Sequence, residues 1–203
     1  MIIQTIEELE EVYNLPVAAM VKACDRDYLI PPYVKLIEAS PFFVLATCGP
    51  EGLDCSARGD PPGFVRVSDK RTIIFPDRRG NNKIDSLRNI VRDPRVSLMF
   101  LVPGTGLILR LNGRAQISTE EALLSSFAVG NAAPKSVVIV TVDVVFMQCA
   151  RAIMRSKLWD ASAHVDPKSI PSMGNILAHV TDGREGGERF DDDAPTRMQR
   201  SLW

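Results

Sequence analysis

Cysteine is scarce and unpatterned in this chain: four residues, Cys24, Cys48, Cys55 and Cys149, with no CxxC pair among them. Such spacing suggests neither a zinc site nor a disulfide framework, and reduced thiols in a cytosolic protein are the ordinary reading. Histidine is scarcer still. His164 and His179 have no acidic or cysteine partner at useful spacing, so no metal or general-base role is assigned to them. A basic excess is also missing: 24 Lys and Arg stand against 25 Asp and Glu, a formal net charge of -1. A protein whose main task is coating nucleic acid needs a clear positive surplus, so that class is set aside. No uninterrupted apolar run reaches membrane-spanning length. The opening MIIQTIEELEEVY is acidic and helix-like, unlike a signal peptide, so a soluble, cytoplasmic product is expected. No GxxxxGK[ST] occurs, which excludes a nucleotide-triphosphate loop.

What is present suits one sizeable core: 203 residues, 45% of them hydrophobic, read as one domain with terminal additions. Residues 1–40 are expected to form a helical cap, with helices after Thr5 (a capping box with Glu8), from Pro16 to about Cys24, and from Pro31-Pro32. From Pro41 the period changes. FFVLATC, LDCSA, GFVRVSD, RTIIFP, RVSLMFLV, LILRLNGRAQI and SVVIVTVDVVFMQC read as strands with only one clear helix between them, which predicts a mainly antiparallel sheet or small barrel. In LILRLNGRAQI, Leu107, Leu109, Leu111, Ala115 and Ile117 alternate with Arg110, Asn112, Arg114 and Gln116, the pattern of a half-buried strand. Arg110 and Arg114 read as a solvated face or an interface edge. Gly113 interrupts the strand, as at a bulge or where another backbone or a ligand comes close. CARAIMRSKLWD reads as a further helix, and residues 166–203 as a partly mobile extension whose terminal SLW could dock.

The stretch FPDRRGNNKIDSLRNIVRDPRV carries the first candidate site. Ile84, Leu87, Ile90 and Val91 share a helix face, Pro94 stops the helix, and asparagine is a favoured N-cap, so the helix is expected to begin near Asn81 or Asn82. Arg78, Arg79, Lys83 and Arg88 cluster there, although a helix N-terminus prefers carboxylates. A bound anion would resolve that conflict; a solvated basic turn is the alternative. The second constellation is SARGDPPGFVRV, in which Pro61-Pro62-Gly63 forces a bend. Arg58 is suited to grip a phosphate, and an Arg58–Asp60 surface pair is the alternative.

These stretches, with LRLNGRAQI and QCARAIMRSKLWD, resemble the pyridoxamine 5′-phosphate oxidase-like superfamily, and more narrowly its FMN-dependent subgroup of unknown substrate, over roughly residues 30 to 165. The resemblance implies a split β-barrel with flanking helices over residues 41–165, a homodimer, and FMN at the subunit interface. It assigns Asn81, Asn82 and Lys83 to the FMN phosphate, with Asn82 where an arginine is usual. It assigns Arg58 as a further phosphate ligand, with Arg66 its competitor. Phe75 and Pro76 would lie beside the flavin, and Gly59, Asp60, Phe64 and Val65 of the RGDPPGF motif belong to the same cofactor region. Gln148, Arg155 and Trp159 would approach the ring from the partner subunit. Trp159 also reads as a core or interface anchor, and Cys149 as a small buried residue. The Arg-x-His substrate motif of the true oxidases is absent, so oxidation of pyridoxamine phosphate is not expected. No residue stands out as a catalytic acid or base. The function expected is an FMN-dependent oxidoreductase acting on an unidentified small molecule, with NAD(P)H as a possible partner. The alternative is a non-catalytic flavin- or haem-binding module of the same fold.

Overall fold

The structure is a computed structural model that describes residues 2–14 and 16–203. Met1 and Leu15, inside the expected cap, lie outside the described residues. The chain runs α1 (Ile6–Val12), α2 (Ala19–Lys22), α3 (Pro31–Ala39), β1 (Phe42–Gly49), β2 (Gly52–Gly59), β3 (Arg66–Asp69), β4 (Thr72–Pro76), α4 (Asp85–Arg92), β5 (Arg95–Leu101), β6 (Ile108–Ser118), α5 (Glu121–Ser126), β7 (Val137–Gln148), α6 (Arg151–Ser156), α7 (Met173–Val180) and α8 (Glu188–Arg200). Among the described residues no helix is long and apolar enough to cross a membrane.

All seven strands join one antiparallel sheet in the order β2-β1-β5-β6-β7-β4-β3. Its two edges, β2 and β3, do not pair with each other, so the sheet curls without closing, as a split barrel does. The alternation read from the sequence sets the inner face. Phe43 and Leu45 of β1, Leu98 and Phe100 of β5, Leu109 and Leu111 of β6, Val138 and Val140 of β7 and Ile73 and Phe75 of β4 are all buried in one core. Phe43 lies at its centre, with ring centroids at 5.7 Å from Phe64, 4.9 Å from Phe75 and 5.2 Å from Phe100. These contacts cross from β1 to β4 through the interior and pull the open sheet round on itself.

Gly113 marks both of the features its position suggests. The register between β6 and β7 shifts between Asn112 and Gly113. A Cβ on Gly113 would lie 2.2 Å from the Thr141 carbonyl oxygen, so what comes close is the backbone of the neighbouring strand.

The helical cap is only partly realised. Thr5 accepts from the Glu8 amide, but the Glu8 carboxylate reaches back to the Gln4 amide, not to that of Thr5. α1 and α2 bury no residue; the apolar residues of α1 are too few to form a continuous face against the sheet. Only α3 caps the core, burying Tyr33 and Ile37 one turn apart, with the Tyr33 hydroxyl donating to the Cys24 carbonyl at 2.7 Å. Beyond residue 166 the chain carries α7 and α8: the Asp191 carboxylate accepts from the Gly174 amide and the Ser172 hydroxyl, which clasps α7 against α8.

Candidate functional site

α4 begins at Asp85, with Ile84 in the cap position and no side-chain cap, three to four residues later than the sequence suggests. The asparagines serve a turn instead. The Asn81 side chain accepts from the Lys83 amide at 3.0 Å, and Asn82 adopts the left-handed conformation (φ 63). Asparagine suits both an N-cap and such a turn, so its presence alone did not separate them. The buried face of α4 also differs: Ser86, Asn89 and Ile90 point inward, while Val91 and Ile84 are exposed.

The two polar residues are buried because α4 packs over the polar part of β1 and β2. On β2, Asp54, Ser56 and Arg58 alternate onto the side that α4 covers. The Ser86 hydroxyl donates to Asp54 Oδ2 at 2.5 Å and lies 2.9 Å from Ser56 Oγ; Arg58 Nε donates to Ser56 Oγ at 3.3 Å. Asn89 Nδ2 donates to Thr47 Oγ1 at 3.1 Å. Ser56 and Ser86 thus join the first turn of α4 to the strand that carries Arg58. Sequence reasoning missed both. The available signal was Ser56 two residues before Arg58, on the same face, and Ser86 three residues beyond Lys83.

The basic turn is partly neutralised from within the chain. Arg58 Nη1 pairs with Asp77 at 2.6 Å, Arg78 Nε with Asp60 at 2.5 Å, and Lys83 with Asp85 at 3.3 Å. The expected Arg58–Asp60 pair is not formed, since Arg58 pairs with Asp77, and carboxylates meet only part of the charge at the helix start. The first two bridges join β2 and the residue just after it to the loop following β4, so they span the split in the barrel. They differ from the third in kind. Arg58 and Asp77 are four-fifths buried and Asp60 is 3% exposed, whereas Lys83 is 76% exposed and its pair contributes less than ~1 kcal/mol. Arg58 Nη2 makes no hydrogen bond among the described residues, which leaves one arm of the guanidinium open. Arg79 and Arg88 form no ion pair among the described residues.

The other expected site residues fall into three groups. Phe64, Val65, Phe75 and Pro76 are buried, so they can offer a ligand little besides backbone. Arg66 is committed to α5: it donates to the Ser126 hydroxyl at 2.9 Å and carbonyl at 2.5 Å, with its guanidinium 3.8 Å from the Phe127 ring centroid. Arg66 is thus engaged on α5 as Arg58 is engaged with Asp77. Gln148, Arg155 and Trp159 lie elsewhere. Cross-strand pairing runs Gly59–Phe42–Leu101–Ile108–Gln148, which puts Gln148 four strand spacings from Gly59, about 19 Å along the sheet, with the packed core between the two walls. Trp159 donates from Nε1 to the Thr105 carbonyl at 2.7 Å and so anchors the segment after α6 to the β5–β6 loop. Arg155 is exposed. Cys149 is exposed, not buried, because it follows the last residue of β7. Both histidines are exposed and lie outside the strands. No cluster of three or more His, Cys, Asp or Glu residues that could hold a metal occurs among the described residues.

A cleft of about 540 Å³ opens beside this site, between the loops at Gly59–Pro61 and Arg78–Gly80 and the end of α8 with Trp203. The terminal SLW therefore lines the same cleft as the two loops that the sequence singled out.

The family model for pyridoxamine 5′-phosphate oxidase matches residues 29–149, more than half of the chain and all seven strands. The chain belongs to the pyridoxamine 5′-phosphate oxidase family. Its split, antiparallel sheet and flanking helices are the fold of that family. Among solved structures, HupZ from Group A Streptococcus is 21% identical, covering 60% of this chain and 94% of its own, with a TM-score of 0.49. A proposed pyridoxamine 5′-phosphate oxidase from Lactobacillus delbrueckii is 19% identical, over 60% and 95%, with a TM-score of 0.47. An FMN-binding protein from Syntrophomonas wolfei is 12% identical, over 56% and 86%, with a TM-score of 0.42. No curated protein matches the chain. The family assignment rests on the family model.

Proposed function

We propose that this member of the oxidase family is an FMN-dependent oxidoreductase of a small organic molecule, working as a cytoplasmic homodimer. The observation that carries the reading is the pair of cations at the split, Arg58 and Lys83, with one guanidinium arm open and one weakly paired ammonium, on a frame set by Ser56 and Ser86, whose own protons go to Ser86 and Asp54. That donor set fits a phosphate monoester. Arg58 would hold two phosphate oxygens through Nη2 and, on release from Asp77, Nη1. Lys83 would turn from Asp85 at little cost, because an exposed pair contributes little. The amide groups in the first turn of α4, at the positive end of that helix, add further donors; the Lys83 amide is taken by Asn81. Bound there, FMN supplies the hydride chemistry, and the protein's part is to bind and orient it.

The four-strand separation between Arg58 and the group Gln148, Arg155 and Trp159 supports a site shared between subunits. Within one subunit the core lies between them, so residues from the β7 end reach a flavin at Arg58 from a second copy. A sheet with one uncovered face supports the same reading. Val44, Met99 and Phe146 are partly exposed on it, Leu53 of edge strand β2 is 89% exposed, and Asn112 Oδ1 is buried without a hydrogen-bond donor. A buried acceptor left unpaired costs ~1–3 kcal/mol, which a donor from a second copy would offset.

The test is the visible spectrum of untreated protein, followed by NADH or NADPH under anaerobic conditions. Bleaching and recolouring in air support an enzyme. A flavin that binds but takes no electrons from either nicotinamide points to a flavin-holding module, and a colourless protein that takes up no FMN removes the proposal. A haem-holding module is disfavoured because both histidines are exposed and lie outside the strands.

A further inference from the structure

Asp54 is an anion without a cation beside it. It forms no ion pair among the described residues, and the one hydrogen bond its side chain makes there comes from Ser86 Oγ. A half-buried carboxylate needs a partner to offset its lost hydration. The cation in line with it is Arg58, on the same face of β2 but four residues on, about 13 Å away along the strand and too far for direct contact. Ser56 and Ser86 fill the interval.

A hydroxyl has one proton to give, and this fixes the direction of each bond between the two charges. The Ser86 proton goes to Asp54 Oδ2. The 2.9 Å contact between Ser86 and Ser56 is therefore made by the Ser56 proton. Ser56 Oγ, with its proton committed, accepts from Arg58 Nε at 3.3 Å. The chain runs one way, from guanidinium through two hydroxyls to carboxylate, and each bond polarises the next in the same sense. Asp54 thereby keeps a Ser56 lone pair turned toward Nε. We infer that Asp54 is a positioning residue for Arg58, acting through Ser86 and Ser56 and touching no ligand itself.

The two carboxylates linked to Arg58 then act in opposite ways. Asp77 holds Nη1, an arm that a phosphate takes, and so competes with it. The relay holds Nε, which leaves both Nη groups for a phosphate and sets the plane in which they lie. The Arg58 side chain hydrogen-bonds to Ser56 and Asp77 alone among the described residues, so once a phosphate displaces Asp77 the relay is the remaining hold on the guanidinium. This consequence for the cofactor rests on the flavin reading; the relay itself does not.

Fluorescence titration of the full chain with FMN and riboflavin, with circular dichroism as the check on folding, compares wild type, Asp54→Ala, Ser86→Ala and the double variant. Removing a negative charge near a phosphate site favours the anion by Coulomb's law, so a bystander at position 54 leaves FMN binding unchanged or tighter when replaced. The relay predicts the opposite sign: each single variant is expected to weaken FMN by roughly tenfold, with riboflavin unmoved. Because the groups act in series, the double variant is expected to lose no more than either single one, and additive losses would overturn the relay. So would FMN affinity that is unchanged or higher in Asp54→Ala, or a loss shared by riboflavin. In flavin-free protein carrying isotope-labelled arginine, the Arg58 Nε–H magnetic resonance signal, assigned by its loss in Arg58→Lys, is expected to exchange with water at least roughly tenfold faster in Asp54→Ala. An unchanged rate would overturn the inference without any cofactor present. If Asp54→Ala does not fold, Ser86→Ala carries both readouts. If wild type takes up no FMN, the flavin reading falls and the exchange rate alone decides on the relay, so the two proposals fail separately.

Discussion

Replacing Asp77 by asparagine separates the two partners that compete for Arg58. In the structure Arg58 Nη1 lies 2.6 Å from Asp77, with both side chains about four-fifths buried. Such a pair falls between exposed bridges, at 0–1 kcal/mol, and the breaking of fully buried ones, at ~3–5 kcal/mol. Asparagine keeps the shape and one acceptor, so a loss of about 1–2 kcal/mol in flavin-free stability is expected, read as a lower urea midpoint with unchanged slope. The same change frees Arg58 for a phosphate. Removing a competitor worth about 1–2 kcal/mol should tighten FMN by roughly five- to thirtyfold. Riboflavin, which lacks the phosphate, should gain nothing. Fluorescence titration of both flavins against wild type and variant reads the difference. If Asp77→Asn weakens FMN, or shifts FMN and riboflavin alike, Arg58 is a structural staple across the split and not a phosphate ligand.

Further expectations concern the scaffold that positions this site. Phe43→Ala removes a fully buried ring that meets three others and should cost ~3–5 kcal/mol by urea unfolding; a loss under ~1 kcal/mol would contradict its place at the centre of the core. Gly113→Ala places a Cβ 2.2 Å from a ladder carbonyl and should cost about 1–3 kcal/mol or more, with a lower Tm; an unchanged Tm would contradict the close approach of β6 and β7. The Asp93 carboxyl is held well below the usual carboxylate range, first by the Arg95 side chain and then by its backbone amide. A folded-state value below the unfolded one means that Asp93 stabilises the fold above about pH 4 and that this contribution is lost as pH falls further. Asp93→Asn should therefore flatten the acid limb of the stability curve below about pH 4, and an unchanged limb would contradict the Arg95 interaction.

The strands were legible because their side chains alternate: Phe43, Leu45, Leu98, Leu109 and Leu111 occupy the inner face that period two assigns to them. The bulge at Gly113 was legible because a glycine inside such a run has few other uses. The start of α4 was not, because Asn81 and Asn82 satisfy the rules for a cap and for a turn equally well. Nor were the ion pairs. Arg58 and Asp77 are nineteen residues apart and meet only because the curled sheet brings β2 to the loop after β4, a contact without local signature. The clasp of α7 on α8 was hidden for a related reason. A run of Asp, Gly, Glu and Arg looks unstructured until Asp191 is seen to accept from Gly174 and Ser172.

The most direct measurement is FMN titration of wild type against the double variant Arg58→Ala, Lys83→Ala, followed by visible absorbance and checked by circular dichroism for an intact fold. Wild type is expected to bind FMN with a flavin spectrum, and the folded variant to lose at least roughly a hundredfold in affinity, since two charge-assisted phosphate contacts go. Undiminished FMN affinity in the folded variant, or a wild type that takes up no FMN, would contradict the account.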